Sequence, residues 1–84
     1  MSNPTVVIYT SKKCEESKLL RQFLRDNKIE FRDRDIDADY DAREQMNNLL
    51  KAGNKTPAMM IGTKAFVGFE RNSKAIKKEL GIKD

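Results

Sequence analysis

The chain has 84 residues, of which 36% are charged and 38% hydrophobic, a balance typical of a small water-soluble globular protein. We expect one domain over residues 1–84, with no membrane span and no secretory leader, because no apolar run has the length or flanks of either. The net charge of +4 is spread over mixed-sign segments such as residues 32–44, so we expect no nucleic-acid partner.

The first strand and the first helix are the clearest elements of the sequence. The β-branched run Thr5–Tyr9 predicts a short buried strand, and a polar turn leads from it into a helix over Glu15–Asp26. Asn27-Lys28 marks the exit of that helix. We expect four apolar side chains inside and three basic ones outside: Leu19, Leu20, Phe23 and Leu24 inside, and Lys18, Arg21 and Arg25 outside.

The middle of the chain predicts a second strand and a second helix. Glu30–Asp35 shows weak alternation with charged residues in the gaps, which favours an exposed strand. Asp39 is placed to cap a helix over Tyr40–Lys51, and Gly53 follows as a left-handed stop. The inner face of this helix is expected to contain Ala42, Met46, Leu49 and Leu50.

The last third predicts a hairpin and a final helix. Ala58–Ile61 and Lys64–Val67 are apolar runs joined by the tight turn Gly62-Thr63. The final helix spans Asn72–Leu80 and stops at Gly81. The resulting order is β-α-β-α-β-β-α, and it predicts a four-stranded mixed sheet with helices on both faces, in which the first two strands are parallel.

Cys14 is the only cysteine, which excludes an internal disulfide framework and favours a reducing compartment, the cytoplasm. It directly precedes the first helix, where backbone N–H groups and the helix dipole favour a thiolate. A free cysteine is often an inert small hydrophobe, but the position after Lys12-Lys13 favours a reactive one. Glu15 and Glu16 raise a thiol pKa whereas the lysines and the dipole lower it, so the net direction stays open.

Three stretches of the chain together resemble the glutaredoxin branch of the thioredoxin-fold proteins. They are Val6–Thr10 with Cys14 four residues on, Lys55-Thr56-Pro57, and Val67–Glu70. The resemblance covers nearly the whole chain and implies a thioredoxin-like α/β fold. It also implies glutathione-dependent thiol–disulfide exchange on protein–glutathione mixed disulfides. Dithiol members carry a second cysteine where Ser17 stands here, so a one-thiol route with an external thiol is implied.

The resemblance further implies a glutathione-binding cradle around Cys14. Pro57 is then a cis-proline, which leaves the backbone of Thr56 to pair with the cysteinyl part of the ligand like an added strand. The amides of the turn that begins at Gly68 then meet the γ-glutamyl carboxylate. The residues implied to contact glutathione are Lys12, Cys14, Lys55, Thr56, Pro57, Gly68, Phe69 and Glu70.

Two residues depart from the family pattern. Glu16, in the motif Cys14-Glu15-Glu16-Ser17, replaces a tyrosine and puts an anion near an anionic ligand. Arg71 stands where many glutathione-using members carry an aspartate that meets the γ-glutamyl ammonium. Glu70, one residue earlier, is available as a substitute.

A function of a different class stays open at this point. Cys14 could bind glutathione, or a [2Fe–2S] cluster between two subunits, so that the chain is a carrier. Cluster-binding relatives have Gly-Phe where Glu15-Glu16 stand, and two carboxylates disfavour an anionic cluster. An arsenate-reductase-like opening is a third interpretation, but the chain is short for the helical insertion of those proteins. We therefore expect a monomeric oxidoreductase with glutathione and disulfide-containing proteins as partners, no metal, and no membrane partner.

Overall fold

The computed structural model describes residues 5–50 and 55–82, with the side chains of Leu49 and Leu50 left out. It confirms the predicted order of elements. In chain order they are β1 (Val6–Thr10), α1 (Glu15–Asp26), β2 (Arg32–Asp35), α2 (Tyr40–Gln45) with a π-helical continuation (Met46–Leu50), β3 (Ala58–Ile61), β4 (Lys64–Val67), a 3-10 turn (Glu70–Asn72) and α3 (Ser73–Leu80).

The four strands form one mixed sheet in the order β2-β1-β3-β4. β1 is parallel to β2 and antiparallel to β3, and β3 is antiparallel to β4. The strand with the most β-branched residues therefore takes a central position, where both of its faces are covered. Ile8 is fully buried and Tyr9 is almost so, although their side chains face opposite sides of the sheet.

A hydrophobic core lies on each face of the sheet. Val6 and Ile8 of β1 pack with α1 and α3 on one face, whereas Tyr9 packs with α2 on the other. The buried members of the larger core are Val6, Ile8, Leu20, Leu24, Met59, Ile61 and Ile76. Those of the smaller core are Tyr9, Ile36, Ala42, Met46 and Ala58. The predicted arrangement of helices on both faces is confirmed.

The first two strands differ from their predicted bounds for a reason of pairing. β1 runs to Thr10, one residue further than expected, because Thr10 is the register partner of Asp35 and its carbonyl accepts from the N–H of Ile36. β2 begins at Arg32 rather than Glu30, since the register starts at Val7 opposite Arg32. The pairing partner, and not the apolar pattern, sets these ends.

The second helix is α-helical over a shorter stretch than predicted. Asp39 caps it as expected, because its side chain accepts from the N–H of Ala42 at 3.2 Å. The α-helical bonds end at Gln45 and are followed by π-helical ones over Met46–Leu50. The expected continuation to Lys51 and the stop at Gly53 fall on residues 51–54, which lie outside the described residues, as do the side chains of Leu49 and Leu50.

The expected faces of the first helix are wrong at two positions. Leu19 is 51% exposed, whereas its neighbour Leu20 is 1% exposed, because the buried stripe follows Leu20 and Leu24 one turn apart. Arg21 does not point freely into solvent. It donates to Thr10 Oγ1 at 2.7 Å and pairs with Asp33, which ties α1 to the end of β1 and to β2.

The last helix begins with a tighter turn than predicted. Residues Glu70–Asn72 form a 3-10 turn, and α-helical bonds start at Ser73. Gly81 ends the helix with φ +73°, which is the left-handed stop that the sequence predicts. Within the described ranges no helix is both long and apolar enough to cross a membrane.

Leu20 and Leu19 provide a matched pair for testing the core. Leu20→Ala is expected to lower the free energy of unfolding by roughly 2–5 kcal/mol, because it leaves a cavity in the larger core. Leu19→Ala removes a largely exposed side chain and is expected to cost under about 0.5 kcal/mol. Urea unfolding of both variants checks this, and equal losses would show that the assigned buried face of α1 is wrong.

Candidate functional site

Strand register brings three separate segments to one end of the sheet. Tyr9 of β1 is opposite Ala58 of β3, and Ala58 is opposite Val67 of β4. The loop after β1, the segment before β3 and the turn after β4 therefore meet there. These segments carry Cys14, Thr56 and Gly68, the central residue of each stretch predicted to form the site.

Cys14 is the N-cap of α1. Its backbone is extended (φ −100°, ψ 112°), its N–H donates to the carbonyl oxygen of Ser11 at 3.1 Å, and its own carbonyl accepts from the N–H of Lys18 at 3.4 Å. The side chain is half-buried. Its thiol donates to the backbone carbonyl oxygen of Thr56, with 3.4 Å between sulfur and oxygen. The sulfur is thus fixed between the start of α1 and the start of β3.

The pKa of the Cys14 thiol lies below its usual value, which settles the direction that the sequence leaves open. Burial by itself raises this pKa, but it is outweighed by hydrogen bonds from the side chains of Ser17 and Thr56 and from the backbone N–H groups of Ser17 and Glu16. These N–H groups belong to the first turn of α1, as expected for a thiolate at an N-cap. Hydrogen bonds, rather than the exposed Lys12 and Lys13, therefore activate the sulfur.

Ser17 has a second property beyond being unable to form a disulfide. It is completely buried, and its hydroxyl oxygen has no hydrogen-bond partner among the described residues. The thiol proton of Cys14 is directed to the Thr56 carbonyl oxygen, which leaves the lone pairs of the sulfur free to accept. The Ser17 hydroxyl lowers the pKa of Cys14 because a hydrogen bond from it to the sulfur is stronger when the sulfur is an anion.

The Thr56–Pro57 peptide bond is cis, which is the geometry implied by the resemblance. Pro57 is buried, and its carbonyl oxygen accepts from the N–H of Gly68 at 2.8 Å. Thr56 is half-buried beside the sulfur. The backbone of Thr56 therefore lies next to Cys14, while Pro57 fixes the position of the turn after β4.

The turn after β4 requires glycine at its first position. Gly68 has φ +93°, and a Cβ atom there would lie 2.9 Å from Cδ of Arg71. Asn72 stabilises the turn, because its side-chain amide donates to the carbonyl oxygens of Val67 at 2.8 Å and Gly68 at 3.0 Å. The ring of Phe69 packs against Phe23 of α1, with ring centroids 5.2 Å apart. The half-buried ring thus packs against the larger core and does not line the site.

Glu16 makes a contact that sequence reasoning did not predict. Its Oε2 atom accepts from the backbone N–H of Phe69 at 2.5 Å and from that of Glu70 at 3.3 Å. These amides belong to the turn that the resemblance assigns to the γ-glutamyl carboxylate of glutathione. The contact joins residues that are 53 and 54 positions apart, so no local pattern could indicate it.

A cleft of about 290 Å³ begins at Thr56 and runs along this turn. It is lined by Glu16, Lys55, Thr56, Val67, Gly68, Glu70 and Arg71. Two acidic and two basic side chains therefore surround it. Six residues that sequence reasoning also placed at the site are not among those that line the cleft: Lys12, Cys14, Glu15, Ser17, Pro57 and Phe69. Of these, Lys12 and Glu15 are exposed.

Two residues of the site were missed or assigned too small a role. Asn72 was assigned only to the start of the last helix, although an asparagine shortly after a glycine turn is a recognisable turn-stabilising signal. Ser17 was considered only as a missing cysteine. The asparagine signal indicates a stabilised turn but not which carbonyl oxygens accept from it, and the effect of Ser17 requires the position of the sulfur. Across residues 5–50 and 55–82, no three His, Cys, Asp or Glu side chains are arranged to share a metal ion.

The fold and the site together define a thioredoxin-fold protein: a β2-β1-β3-β4 sheet, a cysteine at the start of α1 and a cis-proline before β3. The family model for glutaredoxin matches residues 6–66, which is more than half of the chain. The chain belongs to the glutaredoxin family. No curated protein sequence matches it.

Solved structures similar to the chain confirm the fold. The thioredoxin-like protein BC3987 has a TM-score of 0.82 at 21% identity, over 90% of this chain and 100% of that one. Methanoredoxin from Methanosarcina acetivorans has a TM-score of 0.82 at 23% identity, over 95% and 87%. The glutaredoxin from Methanosarcina mazei Go1 has a TM-score of 0.76 at 24% identity, over 98% and 85%.

Ser17→Ala tests the source of the lowered thiol pKa. Because the thiolate is the nucleophile, alkylation of Cys14 speeds up as pH rises through its pKa, and the variant should move that midpoint to higher pH. Its free energy of unfolding should change little below that midpoint, where the thiol is protonated, and should fall above it, where the variant lacks a donor to the thiolate. Iodoacetamide kinetics across the acidic to alkaline range measure the midpoint.

The matched control for this experiment is Ser11→Ala in the same loop. The Ser11 hydroxyl donates to Asp37 at 2.6 Å and not to the sulfur, so its loss should leave the midpoint nearly unchanged. Equal midpoints for wild type and Ser17→Ala would show that the serine does not stabilise the thiolate.

Gly68→Ala tests the turn after β4. The strained backbone is expected to cost about 1–3 kcal/mol of unfolding free energy, and Arg71 must also move away from the new methyl group. Gly81→Ala is the control, because Gly81 also has positive φ (+73°) but a Cβ there meets nothing within 4 Å. Thermal unfolding should rank Gly68→Ala as the less stable variant, and the opposite rank would contradict the packing described here.

Proposed function

We propose that this glutaredoxin carries out thiol–disulfide exchange through Cys14 alone, with glutathione as the external thiol and protein–glutathione mixed disulfides as substrates. The observation that carries the proposal is the lowered pKa of a half-buried thiol at an N-cap, beside the backbone of Thr56. The serine at position 17 supports the one-thiol route, because it leaves no second sulfur to close a disulfide.

The exchange takes place in two balanced steps. The Cys14 thiolate attacks the glutathione sulfur of a mixed disulfide, the S–S bond breaks, and the substrate protein leaves as a thiolate that takes up a proton. A second glutathione thiolate then attacks the glutathione sulfur bonded to Cys14. Oxidised glutathione leaves, and Cys14 is regenerated as the thiolate. Ser17 stabilises that thiolate as nucleophile in the first step and as leaving group in the second.

Ionisation of Cys14 also affects the Thr56 carbonyl oxygen, a backbone acceptor beside the sulfur. In the neutral state the thiol proton occupies the Thr56 carbonyl oxygen. A carbonyl oxygen has two lone pairs, and loss of the thiol proton frees the one that Cys14 uses, so that Thr56 accepts more readily from the backbone N–H of the cysteinyl unit in the substrate, in the manner of an added strand. The same event therefore activates the nucleophile and exposes an acceptor beside it.

The cleft supplies charges for the rest of the ligand. Lys55 and Arg71 line it and are suited to carboxylates, while Glu70 is suited to an ammonium group. The exposed Lys12, in the turn before Cys14, is available for the glycine carboxylate. A one-thiol cycle needs a supply of reduced thiol, so we assign the activity to a reducing compartment, the cytoplasm. We also propose that the chain acts as a monomer.

The carrier function is a weaker proposal than the exchange reaction. Glu15 and Glu16 place two carboxylates in the first turn of α1, directly after the cysteine that would bind an anionic cluster. No contact of the described residues favours a cluster over a disulfide ligand.

Incubation with oxidised glutathione followed by intact-mass measurement tests the proposed function. One glutathione adduct should form, and reduced glutathione should remove it. Cys14→Ser should form none and should remove glutathione from a glutathionylated peptide only at the uncatalysed rate. In Ser17→Cys a second thiol stands at the resolving position, so the adduct should be released without added glutathione.

Alkylation of the native protein is the control for accessibility. A Cys14 that reacts readily with iodoacetamide but forms no glutathione adduct would contradict the glutathione part of the proposal. Retained deglutathionylation in Cys14→Ser would contradict the assignment of the nucleophile.

A further inference from the structure

Glu16 is the one acidic side chain of the described cleft that is bound by backbone amides. Its carboxylate accepts from both Phe69 and Glu70, and its side chain is half-buried. Lys55 and Arg71 line the same cleft, yet among the described residues neither forms an ion pair with Glu16. The carboxylate thus accepts from two backbone N–H groups, although the side chains of Lys55 and Arg71 line the same cleft.

The position of these donors gives the contact a consequence for ligands. Phe69 does not itself line the cleft, but Gly68, Glu70 and Arg71 of the same turn do, together with Glu16. A Cβ on Gly68 would lie 3.7 Å from the same Glu16 oxygen that accepts from the two amides. The cleft begins at Thr56, whose carbonyl oxygen is 3.4 Å from the sulfur, so a disulfide ligand on Cys14 that extends past Thr56 enters it. A carboxylate of that ligand that reaches the N–H groups of Phe69 and Glu70 meets donors that are already occupied by a carboxylate of the protein itself.

We propose that Glu16 is a specificity-determining residue: an internal competitor that occupies the amides which a carboxylate-bearing ligand such as glutathione would use. Glutathione then binds only when the Glu16 side chain is displaced, which raises its KM without changing the chemistry at the sulfur. Disulfides without such a carboxylate, including those of peptide segments that pair only with Thr56, are not penalised. This inference rests on the proposed function, because it concerns the affinity of that same site for glutathione.

The test compares two disulfides on the same set of variants. Oxidised glutathione carries the carboxylates, whereas bis(2-hydroxyethyl) disulfide is neutral and carries none. Glu16→Ala is expected to speed formation of the Cys14–glutathione adduct about tenfold or more at sub-saturating concentration, because the competing carboxylate and both of its charge-assisted hydrogen bonds are lost. The rate with the neutral disulfide should change less than about twofold on the same scale.

Two further variants separate occupancy of the amides from loss of charge. Glu15→Ala removes the same charge one residue earlier, but Glu15 is exposed and pairs with Lys18. It should not change the ratio of the two rates by more than about twofold. Glu16→Gln keeps the shape of the side chain and leaves a neutral, weaker competitor, so it should give an intermediate gain even if Glu16→Ala folds poorly.

The outcomes distinguish this inference from the proposed function. A glutathione adduct that forms equally fast in wild type, Glu16→Gln and Glu16→Ala leaves the exchange reaction standing and overturns the competitor. Equal gains in Glu15→Ala and Glu16→Ala also overturn it, because charge alone would then explain the effect. If no variant forms the adduct while the neutral disulfide reacts, both the glutathione dependence and the inference are wrong.

Discussion

The antiparallel pairing of β1 with β3 is the constraint on which the site depends. Tyr9 opposite Ala58 places the loop that ends at Cys14 against the residues that precede β3. A shift of one residue in this register would turn every side chain of β3 to the other face. It would also move Thr56 away from the sulfur. Both cores and the Cys14–Thr56 contact therefore depend on the same backbone ladder.

The order of elements was predictable because it follows from local periodicity, whereas the boundaries were not. β1, α1 and the β3–β4 hairpin each carry a clear pattern, and their order fixes a mixed sheet. The ends of β2 depend on where its partner begins. Leu19 shows that the buried face of a helix is uncertain for the same reason. Its apolar neighbours allow either Leu19 or Leu20 to face the core, and only packing against the sheet decides that Leu20 is buried and Leu19 is exposed.

The site was predictable at the level of segments and not at the level of contacts. Cys14, Thr56 and Gly68 lie where motif spacing places them, since each belongs to a turn of recognisable chemistry. The roles of Ser17 and Glu16 came only from the structure. The Ser17 hydroxyl is buried without a partner among the described residues, and the Glu16 carboxylate accepts from an amide 53 residues away. Both features depend on the tertiary structure, so no sequence pattern indicates them.

The first turn of α1 is acidic, yet the pKa of Cys14 lies below its usual value. A glutamate beside a cysteine normally opposes ionisation of the thiol. Here the carboxylate of Glu16 is bound by the amides of Phe69 and Glu70, while its own backbone N–H is among the donors that lower the pKa of Cys14. The side chain and the backbone of one residue thus act in separate places. The backbone N–H lowers the pKa of the sulfur, and the side chain is the proposed competitor for the amides of Phe69 and Glu70.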